Sequence, residues 1–201
     1  MVNQKSIIEK LVKEFGEPYS ETLKIRLEAK NSKSLFEWFL ASILFGARIS
    51  EKIAIKTFNE FRKKGILTPE AILKAGWDRL VEILDTGGYV RYDFKTTTKL
   101  LKIAEKLKQE YDGNLLKLYE KALSQQDLEK RLLEFKGVGE TTVNIFLREL
   151  REKWEKSNPP LSKTAFIAAY NLGLVKNKDR MKALENLKFT WENTKSEIRV
   201  F

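Results

Sequence analysis

Apolar residues recur at intervals of three and four along most of the chain, and this spacing constrains the fold more than any other feature. Near the N-terminus, Ile8, Leu11 and Phe15 fall on one face of a helix. No segment alternates convincingly between apolar and polar residues, as a half-buried strand would. The sequence therefore predicts an all-α protein. The pattern predicts helices over residues 6–15, 35–45, 53–62, 77–84, 94–111, 115–123, 128–135, 142–156 and 164–172.

Two polar residues stand where helices are expected to begin. Ser34 is predicted to be an N-cap, with Glu37 three residues later as its capping-box partner. Thr68 is predicted to be another N-cap, because Pro69 follows it and proline is favoured at the first helical position. The helix after Ser34 is apolar on nearly every face, which is typical of a central core helix.

The composition limits the chemistry that the chain can perform. It contains no cysteine and no histidine, which excludes disulfides, thiol nucleophiles, cysteine-ligated zinc and any histidine base. Lys and Arg total 38 against 28 for Asp and Glu, giving a formal net charge of +10. This excess favours a polyanionic partner, nucleic acid first. A surface rich in Lys and Glu, as in thermophiles, would produce part of the same charge.

The sequence shows no membrane or secretion pattern. Residues 1–5 lack the basic-then-apolar order of a signal peptide. The longest apolar run, residues 36–47, is interrupted and is shorter than a membrane-spanning helix requires. We therefore expect a cytoplasmic protein, associated with the nucleoid if the source is a prokaryote, and no membrane partner.

The most informative segment lies between two short amphipathic helices, which are predicted over residues 128–135 and from Thr142 onward. It reads Gly137-Val138-Gly139, and its glycines permit positive φ and a close approach of the backbone to a ligand. Val138 is expected to turn inward and fix the angle between the helices. The backbone N–H groups at the turn and at the following helix N-terminus would then point outward together and bind phosphate. In the competing interpretation, the glycines only cap a helix.

The segment 135–144 resembles the helix-hairpin-helix of DNA repair proteins. Three further segments resemble the endonuclease III class of DNA glycosylases in order and spacing: Leu40–Ser50, Thr86–Tyr89 and Asn171–Leu174. The resemblance extends over residues 35–174. It implies two helical subdomains with a DNA-binding cleft between them and a target nucleotide flipped into that cleft.

The resemblance also implies a division of the chain into four segments. Residues 1–34 would form an N-terminal helix that packs on the second subdomain, and residues 35–124 the helical barrel subdomain. Residues 125–156 would form the helix-hairpin-helix. Residues 157–201 would supply C-terminal helices that complete the first subdomain.

Two positions depart from the catalytic pattern of these glycosylases. Thr141 stands where bifunctional members have a lysine that forms a Schiff base with the sugar. A threonine hydroxyl cannot form this imine, so we expect the strand-cleaving lyase step to be absent or weak. Ser162 stands where the family has an aspartate that stabilises the cationic sugar, and a shift of one residue would place Lys163 there. The candidate carboxylates that remain are Glu140, Glu149 and Asp179.

Two loops add candidate DNA contacts to those of the hairpin. Arg48 stands where relatives insert a glutamine into the gap left by the flipped base, and it would serve either as a wedge or as a phosphate contact. Arg91 follows the Thr86–Tyr89 loop and is expected to face DNA. The predicted DNA-binding residues are Arg48, Gly88, Arg91, Lys136, Gly137, Val138, Gly139, Thr141 and Thr142.

The expected partner is double-stranded DNA, including damaged DNA, bound by a monomer. We expect no cofactor and no iron–sulfur cluster, because the chain has no cysteine. The resemblance implies a structural Na⁺ or K⁺ ion bound by the hairpin carbonyls of Phe135 and Val138. Two alternatives remain: a non-catalytic relative that binds bent or damaged DNA, and a helical module whose basic surface binds another protein.

Overall fold

The computed structural model describes residues 4–176 and 178–198, with side chains described as far as residue 190. These residues form helices and connecting turns, without a strand among them, which confirms the predicted all-α class. Gly76 kinks one helix, because its φ of 71° is not helical. The helices are α1 (Gln4–Phe15), α2 (Tyr19–Thr22), α3 (Ser32–Phe45), α4 (Glu51–Lys63), α5 (Pro69–Gly87), α6 (Asp93–Tyr111), α7 (Leu115–Lys121), α8 (Gln125–Leu133), α9 (Glu140–Arg148), α10 (Lys163–Asn171) and α11 (Arg180–Ile198).

The N-cap predicted at Ser34 is wrong, and the N-cap predicted at Thr68 is confirmed. Asn31 caps α3, and its side-chain Oδ1 accepts a hydrogen bond from the Ser34 N–H at 3.1 Å. Ser34 instead donates its hydroxyl to the Asn31 carbonyl at 3.1 Å. Asn31 precedes the apolar run by several residues, so the apolar pattern alone does not show that it begins the helix. The Thr68 hydroxyl accepts a hydrogen bond from the Ala71 N–H at 3.1 Å.

The helix predicted over residues 142–156 is shorter in the structure, because α9 ends at Arg148. The segment that follows is held by Trp154, whose side chain is buried. Its indole N–H donates to the Ala29 carbonyl at 3.0 Å, and its ring stacks on Tyr119 with centroids 4.3 Å apart. These tertiary contacts replace the continuation of the helix.

The chain divides into two compact units. The smaller unit combines Met1–Pro18 with Pro159–Phe201, and in it α11 contacts both α1 and α10. Its small apolar core includes Ala169, Val175 and Ala183. The larger unit, Tyr19–Asn158, contains α2 to α9 and therefore includes both the predicted barrel segment and the predicted hairpin.

Helix α3 is the centre of the larger unit, and most of its side chains are buried. The Trp38 indole N–H donates to the Phe146 carbonyl of α9 at 3.0 Å. The Phe39 ring packs against Phe135 and Phe146, with centroids 5.8 and 5.0 Å away. The core helix thus contacts both sides of the hairpin and fixes its position in this unit.

Candidate nucleic-acid interface

The hairpin turn joins α8 to α9. The Val138 side chain is buried, as predicted, and its N–H donates to the Phe135 carbonyl at 3.0 Å, which closes the turn. Gly137 has a φ of 80°, in the left-handed region that favours glycine. Gly139 has a φ of −113°, which any residue adopts, so positive φ explains only the first glycine.

Gly139 leaves the N-terminus of α9 open. It is the N-cap residue, and no side chain accepts a hydrogen bond there. A Cβ at Gly139 would meet no atom of the chain within 4 Å, so the fold itself does not require glycine here. In the described part of the chain, no backbone carbonyl accepts a hydrogen bond from the amides of Glu140, Thr141 or Thr142. These N–H groups and the helix dipole favour an anion at this position.

Thr141 and Thr142 differ in what they can offer a ligand. The Thr141 side chain is exposed beside the open helix end. The Thr142 side chain is buried against Gly46 at the end of α3, and a Cβ at Gly46 would overlap its hydroxyl. Thr142 and the buried Val138 can therefore reach a ligand only with backbone atoms.

The two loops predicted to contact DNA lie at the C-terminal end of α3. The buried Tyr89 donates its hydroxyl to the Leu44 carbonyl at 3.3 Å, and burial raises the pKa of Tyr89 to about 12. Gly88 caps α5 with a φ of 92° and is exposed. Arg48 and Arg91 are both exposed as well. Because Gly46 contacts Thr142 at the same end of α3, the structure brings both loops to the side of α3 where α9 begins.

A further residue at the hairpin was missed by the sequence analysis. Lys99 of α6 lies against Gly137, and a Cβ at Gly137 would be 3.0 Å from its Cε and 3.2 Å from its Cγ. Burial, followed by the charge of Lys95, lowers the pKa of Lys99 below its ordinary value. The spacing of lysines in the predicted helix 94–111 was the available signal, but it did not show that this helix contacts the hairpin.

Two of the three candidate carboxylates are engaged in capping helices. Glu149 accepts hydrogen bonds from the N–H groups of Tyr19 and Ser20, at 3.0 and 3.1 Å, at the start of α2. Asp179 accepts the Met181 N–H at 2.8 Å at the start of α11. Glu140, in the first turn of α9, is exposed and forms no hydrogen bond or ion pair with the described residues.

Ser162, which the resemblance places where the glycosylases have an aspartate, has a structural role of its own. It is the N-cap of α10, and its hydroxyl accepts a hydrogen bond from the Ala165 N–H at 3.1 Å. Lys163, the alternative position, is the first residue of α10 and is exposed. Ser162 belongs to the smaller unit, whereas Thr141 and Glu140 belong to the larger one.

The resemblance implies a monovalent cation at the hairpin carbonyls of Phe135 and Val138, and the described N–H groups leave lone pairs on both oxygens unoccupied. The Phe135 carbonyl accepts the Val138 N–H but keeps a second lone pair, and the Val138 carbonyl accepts no hydrogen bond from the described residues. Such oxygens suit hard cations. A bound ion would stabilise the turn and add positive charge near the open end of α9. No group of three or more Asp and Glu residues in the described ranges could bind a metal ion.

Among solved structures, the fold matches that of the H. pylori 3-methyladenine DNA glycosylase (MagIII) bound to 1,N6-ethenoadenine, with a TM-score of 0.57 and 14% sequence identity. The match covers 100% of this chain and 87% of that chain. The chain has a DNA glycosylase fold. No family model matches the sequence, and no curated protein matches it. Within the described residues of this glycosylase fold, no helix is both long and apolar enough to cross a membrane.

Proposed function

We propose that this protein binds double-stranded DNA through its hairpin and belongs to the base-excision type of DNA repair. The observation that carries the proposal is the open N-terminus of α9. Gly139 provides neither a cap nor a Cβ, so a phosphate group can approach the free N–H groups closely. Contacts of this kind position the protein on the DNA backbone without reading its sequence.

The charge and the fold support the same conclusion. The net charge of +10 attracts a polyanion. The exposed side chains of Arg48, Arg91 and Lys136 add positive groups to the larger unit, which contains the hairpin. A glycosylase fold adds the expectation that the protein binds damaged DNA, as a monomer, with the target nucleotide flipped out of the duplex.

Binding is tested by the fluorescence anisotropy of a labelled duplex titrated with the protein at several salt concentrations. We expect an affinity that falls steeply with salt, because each phosphate contact contributes about 0.9 to the slope of log K against log salt. Binding that is absent, or that does not change with salt, would overturn the proposal. A duplex containing a modified base, compared with the same duplex without it, tests the preference for damage.

The identity of the residue at position 141 predicts which chemistry is missing. Thr141 has no amine, so this chain cannot form a Schiff base there, and we propose that it does not cleave the DNA strand after any base release. The test is incubation with an abasic-site duplex and borohydride. A trapped covalent adduct would contradict the proposal.

Two candidate functions differ in whether a base is released. Excision is favoured by Glu140, whose carboxylate is exposed beside the open helix end and could stabilise positive charge on the sugar. Non-catalytic binding of bent or damaged DNA is favoured by Ser162, Glu149 and Asp179, because each of these side chains caps a helix.

A panel of modified duplexes separates the two candidates. The panel includes 3-methyladenine, after which the structural neighbour is named, and 1,N6-ethenoadenine, to which that neighbour is bound. Base release that is lost in Glu140→Gln, with DNA affinity retained, supports excision. No release from any duplex, under conditions where a control glycosylase is active, supports the non-catalytic function.

A further inference from the structure

Helix α6 carries a row of lysines that takes no part in the proposed phosphate contact at the N-terminus of α9. Lys95, Lys99, Lys102 and Lys106 are spaced by four, three and four residues, which places them on one face of the helix. We use the term lysine row for the first three of these residues together with Lys136 of the hairpin turn.

The lysine row joins the hairpin at two points. The aliphatic part of Lys99 lies against Gly137, as described above. The amine of Lys102 is close enough to that of Lys136 to interact directly, and this interaction lowers the pKa of Lys136 below its ordinary value. Two elements that are distant in sequence therefore form one positively charged surface.

No described carboxylate neutralises the charges of the lysine row. In the described ranges, no carboxylate forms an ion pair with any of its four lysines, although the next lysine on the same face has two partners. Lys106 contacts Glu110 at 3.1 Å and Glu134 at 3.5 Å, and these contacts raise the pKa of Lys106. Asp93 lies two residues before Lys95, roughly 200° away around the helix.

We propose that the lysine row binds consecutive phosphates of a DNA strand and extends the contact that begins at the open end of α9. The inference rests on the proposed DNA-binding function and assigns a second phosphate-binding surface to the same unit. Phosphate oxygens would separate the crowded amines and supply the negative charge that the described carboxylates do not.

The length of the lysine row fits a nucleic-acid strand. From Lys95 to Lys102 the helix rises about 10 Å, at 1.5 Å per residue. If α6 lies along the duplex axis, along which one strand rises by about 3.4 Å per nucleotide, the α6 lysines span about three nucleotides. The row also differs from an ordinary solvent-exposed helix face, because the aliphatic stem of Lys99 packs against the turn that carries Lys136.

The test compares two triple variants of the full chain. The first, Lys95→Gln/Lys99→Met/Lys102→Gln, removes three charges of the row, and methionine preserves the packing of the Lys99 stem on Gly137. The matched control removes three exposed lysines of the same unit that lie outside the row: Lys56→Gln/Lys74→Gln/Lys108→Gln. Thermal unfolding and circular dichroism establish that both variants are folded.

We expect the row variant to lower the slope of log K against log salt by about two to three, since each lost phosphate contact removes about 0.9. The control should lower the slope by less than about one. Lys99→Arg alone should retain the wild-type slope, because it retains the charge. Equal slopes for the row variant and the control overturn the inference.

The experiment also separates this inference from the proposed function. If the wild-type protein binds no duplex at any salt concentration, both fail. If the wild type binds with a steep salt dependence and the row variant behaves like the control, the proposed function stands and only the inference about α6 fails.

Discussion

Helices α9 and α10 have the same length of nine residues but begin in opposite ways. Helix α9 begins at Gly139 without a side-chain cap and buries Thr142, Val143, Phe146 and Leu147. Helix α10 begins at Ser162 with a side-chain cap and buries only Ala169. A short helix needs stabilisation from packing or from its ends. Because packing stabilises α9, its first N–H groups can remain available to a ligand.

This contrast explains why the N-cap residue has different roles in α9 and α10. At α10, the Ser162 hydroxyl accepts the Ala165 N–H and so satisfies the helix N-terminus. At α9, the N-terminus has no capping partner among the described residues and is open to an external anion. Substitutions at the two helix N-termini and in the core beneath α9 test this difference.

Substituting Gly139 with aspartate should affect binding and stability in opposite directions. The carboxylate would cap α9 and occupy the phosphate position, so DNA affinity should fall by about a hundredfold, or about 2.7 kcal/mol. The unfolding free energy should rise by a few tenths of a kcal/mol, since aspartate is a better N-cap than glycine. Anisotropy and urea denaturation measure the two effects. Unchanged affinity in the folded variant would show that phosphate does not bind here.

Trp38→Phe tests whether packing stabilises α9. The substitution removes the buried indole donor to the Phe146 carbonyl, so the unfolding free energy should fall by about 1–3 kcal/mol. Trp77→Phe is the matched control, because Trp77 is 40% exposed and lies against the exposed Phe94. The control should cost less than about 0.5 kcal/mol. Equal losses of unfolding free energy in the two variants, measured by urea denaturation, would show that the contact between Trp38 and Phe146 does not stabilise α9.

Ser162→Ala tests the dependence of α10 on its cap. Loss of the hydroxyl that accepts the Ala165 N–H should lower the unfolding free energy by about 1 kcal/mol. Ser162→Asp should leave it within about 0.5 kcal/mol of the wild type, because aspartate and serine cap helices equally well. If urea denaturation shows that both variants lose unfolding free energy, the hydroxyl has a role other than capping.

The N-terminus of α6 is a third case, in which an acidic pair lies at the helix end. Loss of solvation and the adjacent Asp93 carboxylate raise the pKa of Asp85 above its ordinary value. The folded state therefore binds this proton more tightly than the unfolded state, and its contribution to stability is lost as pH rises through the folded pKa. Relative to Asp85→Asn, the wild type should lose a small part of its stability from about pH 4 upward. Parallel pH profiles of unfolding free energy would contradict this.

The sequence predicts those parts of the interface that depend on local pattern. The inward Val138 follows from apolar spacing on both sides of the turn, and the left-handed Gly137 follows from its place between two helices. Thr68 as an N-cap follows from the proline after it. In each case the neighbouring residues in the chain determine the structure.

The parts that the sequence does not predict depend on distant segments. Helix α9 ends at Arg148 because the following segment is held by Trp154, whose indole N–H donates to the Ala29 carbonyl. Glu149 accepts a backbone N–H of α2, so its capping role depends on where α2 lies. The contact of Lys99 with Gly137 depends on how α6 packs beside the hairpin. Periodicity within a helix describes its buried face but not which element lies against its polar face.

The close approach of Gly46 to Thr142 has a consequence for how this protein can change over time. A side chain at position 46 would collide with the threonine hydroxyl, so such a change is tolerated only after position 142 has become smaller. The order of the two substitutions therefore matters, and related sequences should show the two positions varying together. A library that randomises the hairpin while keeping α3 constant would not sample paired substitutions at positions 46 and 142, which are the ones that keep the hairpin in place.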